Sequence, residues 1–208
     1  MARQTRIYGS GIPKDSVEET EYAEKVRAGA ADAEAESRDP GLVEAVEEFR
    51  AEALSTFAGS VFGDPFGLVV AVKSNPSRAA GMGEGGFLGA PDGIALAKAI
   101  DSLGYPADSL FGIQLDAPAA GGAKAVTSAN LRSVIELVDP VSIVALDARG
   151  AQAVERAYGA EPTTPSRLPT ATRLLGRTVV LLDDFEACLG SQDAKRRAWA
   201  ALKSLALK

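Results

Sequence analysis

Four short apolar runs, 68–72, 110–115, 141–146 and 178–182, recur along this chain, and the stretches between them carry apolar residues at helical spacing. Runs of this kind suit strands buried on both faces, and parallel strands must be joined by crossovers long enough to hold a helix. The pattern therefore predicts an α/β domain with helices on both sides of a mostly parallel sheet. We expect a three-layer α/β/α arrangement with a four-stranded parallel sheet in the order 2-1-3-4.

The helical stretches are legible by their stops and starts. After a Gly-rich loop, 81–90, a helix is expected from about Asp92 to Leu103, with Leu96, Ala99, Ile100 and Leu103 inward and Gly104 as its stop. A second begins at Thr127 or Ser128 and ends at Asp139-Pro140, a third runs from Arg149 to Tyr158, and Ser191 caps the last, with Ala198, Trp199, Leu202 and Leu205 inward. Upstream, Asp39-Pro40 reads as a helix start, and Leu42, Val46, Phe49, Ala53 and Phe57 mark the face expected to dock on the body. The expected organisation is a mobile acidic arm over 1–40, a docking helix and connector over 41–65, and the α/β domain over 66–208.

Composition narrows the chemistry. The chain has 208 residues, no histidine and one cysteine, Cys188, so Ser-His-Asp and Cys-His catalysis and a Cys/His zinc site are excluded. Cys188 is most simply a small buried residue. No cofactor or metal is expected. No apolar run reaches the ~20 residues a membrane span needs, and the expectation is a soluble, cytoplasmic protein. The net charge of −6 is unevenly placed: residues 1–65 hold 7 Lys/Arg against 14 Asp/Glu, which leaves 15 against 14 in the remainder. The last stretch concentrates Lys195, Arg196, Arg197, Lys203 and Lys208 against Asp193.

Ligands of open α/β sheets gather beyond the carboxyl ends of the strands. Four loops lie there, 73–90, 115–127, 147–150 and 183–190. The first holds Lys73, Asn75 and the segment Gly83-Glu84-Gly85-Gly86-Phe87-Leu88-Gly89. Gly86 and Gly89 would allow close backbone approach, and Phe87 could offer a face to a flat ligand or, equally, plug the core. Asn75-Pro76 could be functional or simply a turn that ends the strand. Gln114 could hydrogen-bond both a donor and an acceptor on a pyrimidine edge, or face solvent. Asp183 and Asp184 could act as an acid/base pair, although adjacent strand residues point to opposite faces, and Asp184 could instead cap a turn. The required spacing for a P-loop or a dinucleotide fingerprint is absent.

The order of these elements resembles the uracil-DNA glycosylase superfamily over roughly residues 66–206. Asn75-Pro76 is similar to the Asn-Pro of the mismatch-specific and single-strand-selective branches, Gly85-Gly86-Phe87-Leu88-Gly89 to the segment carrying the aromatic that stacks on a flipped base, and Gln114 stands where the family reads the pyrimidine edge. Residues 138–146, Val-Asp-Pro-Val-Ser-Ile-Val-Ala-Leu, resemble the family's Pro-x-x-Ile-Val-x-Leu-Gly strand, with Asp147 in place of Gly. Lys73 or Ser74, and Ser77, replace the glycines that flank the first motif, and Leu182-Asp183-Asp184-Phe185-Glu186 replaces the loop that inserts into DNA. With one cysteine, no iron–sulfur cluster of the kind found in some branches can form.

The resemblance implies excision of a flipped pyrimidine by water attack at the sugar carbon, with Asn75 orienting the water and Phe87, Gln114, Gly86 and Gly89 around the base. Asp183 and Asp184 would favour a cationic sugar in the transition state. Lys73, Arg78, Arg149, Lys195 and Arg196 are the candidate phosphate contacts, and DNA binding is expected to be weak because carboxylates occupy the inserting loop. The alternative is a catalytically inactive member that acts as a binding or interaction module, with a protein partner on the N-terminal segment. A third reading is an enzyme acting on a free nucleotide or another small molecule.

Overall fold

The structure, a computed structural model, describes residues 40–76, 85–106, 108–117 and 121–207. The expectations for the 1–39 arm, for Asp39 as a cap and for Arg78 fall outside the described residues. The chain divides between Glu47 and Glu48, inside helix α1 (Pro40–Ser55). The unit that begins at Glu48 holds the sheet.

In chain order its elements are β1 (Val61–Gly63), β2 (Val69–Lys73), α2 (Pro91–Ser102), β3 (Leu110–Gln114), α3 (Leu131–Val138), β4 (Ser142–Ala145), α4 (Ala148–Ala157), β5 (Thr170–Leu174), β6 (Arg177–Leu181), α5 (Phe185–Cys188) and α6 (Gln192–Leu202). The sheet order is β1-β3-β2-β4-β6-β5. The central strands β3, β2, β4 and β6 are parallel to one another, while β1 pairs antiparallel with β3 and β5 antiparallel with β6. The α/β class is as expected, and the four expected strands stand in the order 2-1-3-4. The sheet itself is mixed and six-stranded, not a pure parallel sheet of four.

The two added strands escaped the pattern for physical reasons. β1 is only three residues long. β5, Thr-Ala-Thr-Arg-Leu, is an edge strand with three exposed residues, so it carries no continuous apolar run. It turns back into β6 through Leu175-Gly176, both at positive φ (45° and 87°), the conformation of the tight two-residue hairpin that matches strand twist.

Alternation along the central strands sends side chains into two cores. Val70, Val72, Phe111, Ile113, Ile143, Ala145, Val179 and Leu181 pack on one face, under Leu131, Val134, Ile135 and Val138 of α3, Ala151 and Val154 of α4, and Leu54 of α1. Val69, Ala71, Leu110, Val144 and Val180 pack on the other, under Leu96 and Ile100 of α2 and Ala198 and Leu202 of α6. Three layers follow, with helices on both sides of the sheet. The expected docking face of α1 is shifted: Phe49 is exposed, and the helix is held through buried Leu54 and through Arg50, which donates to the Val138 carbonyl at 3.2 Å.

Helix α2 supplies an internal control for this burial. Leu96 is fully buried, whereas Ile94, two residues away, is 47% exposed. Leu96→Ala should cost about 2–5 kcal/mol, and Ile94→Ala no more than about 0.5 kcal/mol. Urea unfolding midpoints of the two variants measure the difference, and equal midpoints would contradict the inward face assigned to α2.

Candidate functional site

The carboxyl ends of the four parallel strands bring polar residues of four loops together. At the end of β2, Lys73 follows Val69 and Ala71 onto the α2 side of the sheet, next to Gln114 across the ladder. Its ammonium contacts Asp92, in the first turn of α2, and lies 3.2 Å from Glu186 of α5. Lys73 and Asp92 are buried and Glu186 is nearly so. Two carboxylates in so dry a place would repel one another, and the ammonium between them offsets that repulsion while each charge also gains a hydrogen bond. Lys73, expected on a phosphate, is thus an internal ion-pair partner. Neither Asp92 nor Glu186 was singled out as a site residue, and the signal for them was the lysine itself, a charge at the end of a buried strand that requires a counter-charge.

Asp147 is the second organising group. One carboxylate oxygen accepts the Ser74 and Asn75 amides, both at 2.8 Å, and the other accepts the Gly150 amide at 2.7 Å, which caps α4. Gly150 allows the approach, because a Cβ there would stand 3.1 Å from Asp147 Oδ1 and 3.2 Å from the Val72 carbonyl oxygen. Asp147 and Asp184 also form an antiparallel bridge, so the loops after β4 and β6 are joined.

Around this frame the expected site residues divide. The Asn75 backbone is fixed by Asp147 and its side chain is on the exposed surface. Gln114 is buried and its side-chain amide donates to the Ser74 carbonyl at 2.9 Å, so it does not face solvent. Gln114 Oε1 and Ser74 Oγ have no hydrogen-bond partner among the described residues. These three residues stand together at the ends of β2 and β3.

Phe87 is a correction. Its ring is completely buried in the α2-side core, edge-on to Phe62 with centroids 6.2 Å apart, and offers no open face to a base. The glycines around it serve that packing. Gly112 in the middle of β3 leaves the space, since a Cβ there would meet Phe87 Cζ and Leu88 Cγ at 3.0 Å, and Gly86, buried with φ +54°, lies against the Phe62 ring where a Cβ would come within 2.5 Å. Gly89 is exposed. The core-plug reading of Phe87 is the one realised.

The carboxylates after β6 also take their structural role. Asp184 accepts the Ala187 amide at 2.9 Å and caps α5, while Asp183 is exposed. They do not converge as an acid/base pair. Cys188, buried behind them, has its thiol pushed up by burial and by the nearby Asp183 and Asp184 carboxylates, which disfavours the reactive thiolate. Among the proposed phosphate contacts, Arg149 is exposed but paired with Asp116 at 2.5 Å, and Lys195 and Arg196 lie on the exposed surface of α6. No group of three or more potential ligand residues is arranged to hold a metal among the described residues, nor is any helix there long and apolar enough to cross a membrane.

Clefts occur elsewhere. One of about 460 Å³ opens at the opposite, amino end of β4 and β6, lined by Tyr105, Ser142, Thr178 and Leu205. Tyr105 donates to the Leu205 carbonyl there at 2.8 Å and lies 3.1 Å from the Ser142 hydroxyl, so its polar atom is already engaged. The carboxyl edge remains the stronger candidate because two of the three buried polar atoms with no partner among the described residues, Ser74 Oγ and Gln114 Oε1, lie together there, whereas the third, Ser109 Oγ, stands alone before β3.

Lys73→Met tests the ion-pair role. Removal of the ammonium leaves buried Asp92 and Glu186 without their shared counter-charge, and we expect a loss of about 3–5 kcal/mol, read from the urea midpoint; an unchanged midpoint would return Lys73 to the candidate phosphate contacts. No protein-family model matches the chain, and no curated protein does so either.

Proposed function

We propose that this chain is a uracil-DNA glycosylase-like α/β domain that works as a binding module and not as a DNA glycosylase. The observation that carries the proposal is the structural use of the side chains that base excision would need: Phe87 lies in the core, Lys73 is held by Asp92 and Glu186, and Asp184 caps a helix. A group fixed in such a role is not available to stack on a base or grip a phosphate. The likeness of fold is in the parallel core in the order 2-1-3-4, with Asn75-Pro76 beyond its first strand. Fold by itself does not carry an activity.

One observation favours the enzymatic reading. Asn75 has its backbone amide held by Asp147 and an exposed side chain, beside two buried polar atoms with no partner among the described residues, Ser74 Oγ and Gln114 Oε1. An amide held in this way could orient a water, and the adjacent acceptor could receive a donor from a pyrimidine edge.

A single assay separates the two. Uracil- and mismatch-containing strands, single and double, are incubated with the chain and with Asn75→Ala, and abasic product is measured. The binding-module reading expects no excision by either protein. It also expects duplex affinity far weaker than the ~10⁻⁸ M typical of specific complexes. Excision that Asn75→Ala abolishes would establish the glycosylase instead.

A further inference from the structure

We propose that the solvent face of the last long helix, α6, is a docking ridge for single-stranded nucleic acid, separate from the carboxyl edge and independent of the reading given to that edge. Ser191 caps the helix, and Ala198 and Leu202 bury its inner face in the α2-side core, which fixes what points outward. Lys195, Trp199 and Lys203, the last at the start of the 3-10 turn that continues the helix, follow one another at four-residue steps of about 6 Å along the axis, and Arg196 lies three residues before Trp199, so all four share one side. All four are exposed, and Trp199, expected to face inward, is 38% exposed. The chain's only tryptophan thus stands among three cations, on a protein whose net charge is −6.

The charge on this ridge selects an anion. Asp193, the acidic residue of this helix, pairs with Arg196 at 3.3 Å, but both side chains are more than three-quarters exposed, so this pair is easily exchanged for another anion. The indole selects among anions. Exposed aromatic faces flanked by Lys and Arg bind single strands by stacking on unpaired bases while the cations follow the phosphates. An acidic peptide would use the cations and leave the indole idle. A membrane surface would need an apolar face to insert, and the apolar face of α6 is already inside the core. Bases paired within a duplex are stacked on one another and offer the ring nothing, which gives the ridge a preference for single strands.

Because Trp199 is the sole tryptophan, its fluorescence reports on the ridge directly in the full-length chain. Titration with an oligothymidylate of about 20 nucleotides, longer than one such site, should quench it saturably. The dependence of log affinity on log salt should have a slope of about −2, from three cations at ~0.7 each on a single strand. With a labelled oligonucleotide, Trp199→Ala should weaken binding about tenfold, Trp199→Phe should weaken it less, and Lys195→Ala with Lys203→Ala should flatten the slope by about 1.4. Urea midpoints show that each variant is folded, and folded variants with unchanged affinity and slope overturn the proposal. So does the absence of saturable quenching, or quenching by phosphatidylserine vesicles or polyglutamate with no response to the oligonucleotide. Excision by the wild-type chain would refute the binding-module reading of the carboxyl edge without touching this result, since Asn75 is not part of the ridge.

Discussion

The carboxylate of Asp147 is the interaction on which the functional edge of this fold depends. A parallel sheet ends in loops whose backbone amides have no ladder partner, and buried amides left unpaired are costly, at about 1–3 kcal/mol each. Asp147 receives three of them, from Ser74, Asn75 and Gly150, and so joins the end of β2 to the beginning of α4. The geometry of Asn75 and of the Ser74–Gln114 contact follows from that anchor. A glycine at that position could not provide it, since it has no side chain to accept the three amides.

What the sequence discloses, and what it hides, divides along periodicity. The strands at the centre of the sheet are buried on both faces, and for that reason Val69–Val72 and Ile143–Leu146 read as continuous apolar runs. Edge strands need bury little, so Thr170–Leu174 resembled a polar loop, and only Gly176 two residues after it marked the hairpin. Helix α2 was legible from its apolar spacing and from Gly104, which adopts φ +95° as the stop requires. The face of α1 was misplaced because its apolar residues are spread around the helix: Phe49 fits the spacing of Ala53 and Phe57, but Leu54 is the residue that is buried.

The candidate site was legible in its location and less so in its roles. Topology takes Lys73, Asn75, Gln114 and Asp147 to one edge of the sheet, as the strand ends implied. Their roles depend on partners distant in sequence, since Lys73 meets Asp92 and Glu186 across 19 and 113 residues, and no local pattern announces such pairings. The same holds for Phe87, which enters the core through the space left by Gly112 on β3. A glycine inside a strand pattern is a sign of close approach, and the space at Gly112 was the available hint that an aromatic ring would enter the core.

The acidic loop after β6 illustrates how a charge can be mistaken for chemistry. Asp183, Asp184 and Glu186 stand close together in sequence, and as a cluster they suggest acid/base work. In the structure each has a different surrounding: Asp183 is exposed, Asp184 holds the first turn of α5, and Glu186 faces the Lys73 ammonium. A short helix of four residues has little intrinsic stability, so α5 depends on its cap, on the Glu186 ion pair and on Phe185 and Cys188, which are buried in the α2-side core. Carboxylates fixed in this way strengthen the edge and at the same time make it a poor surface for phosphate. Exposed Lys195, Arg196, Arg197 and Lys203 gather instead along α6 and its end, and this local concentration lets an acidic protein present a cationic surface there.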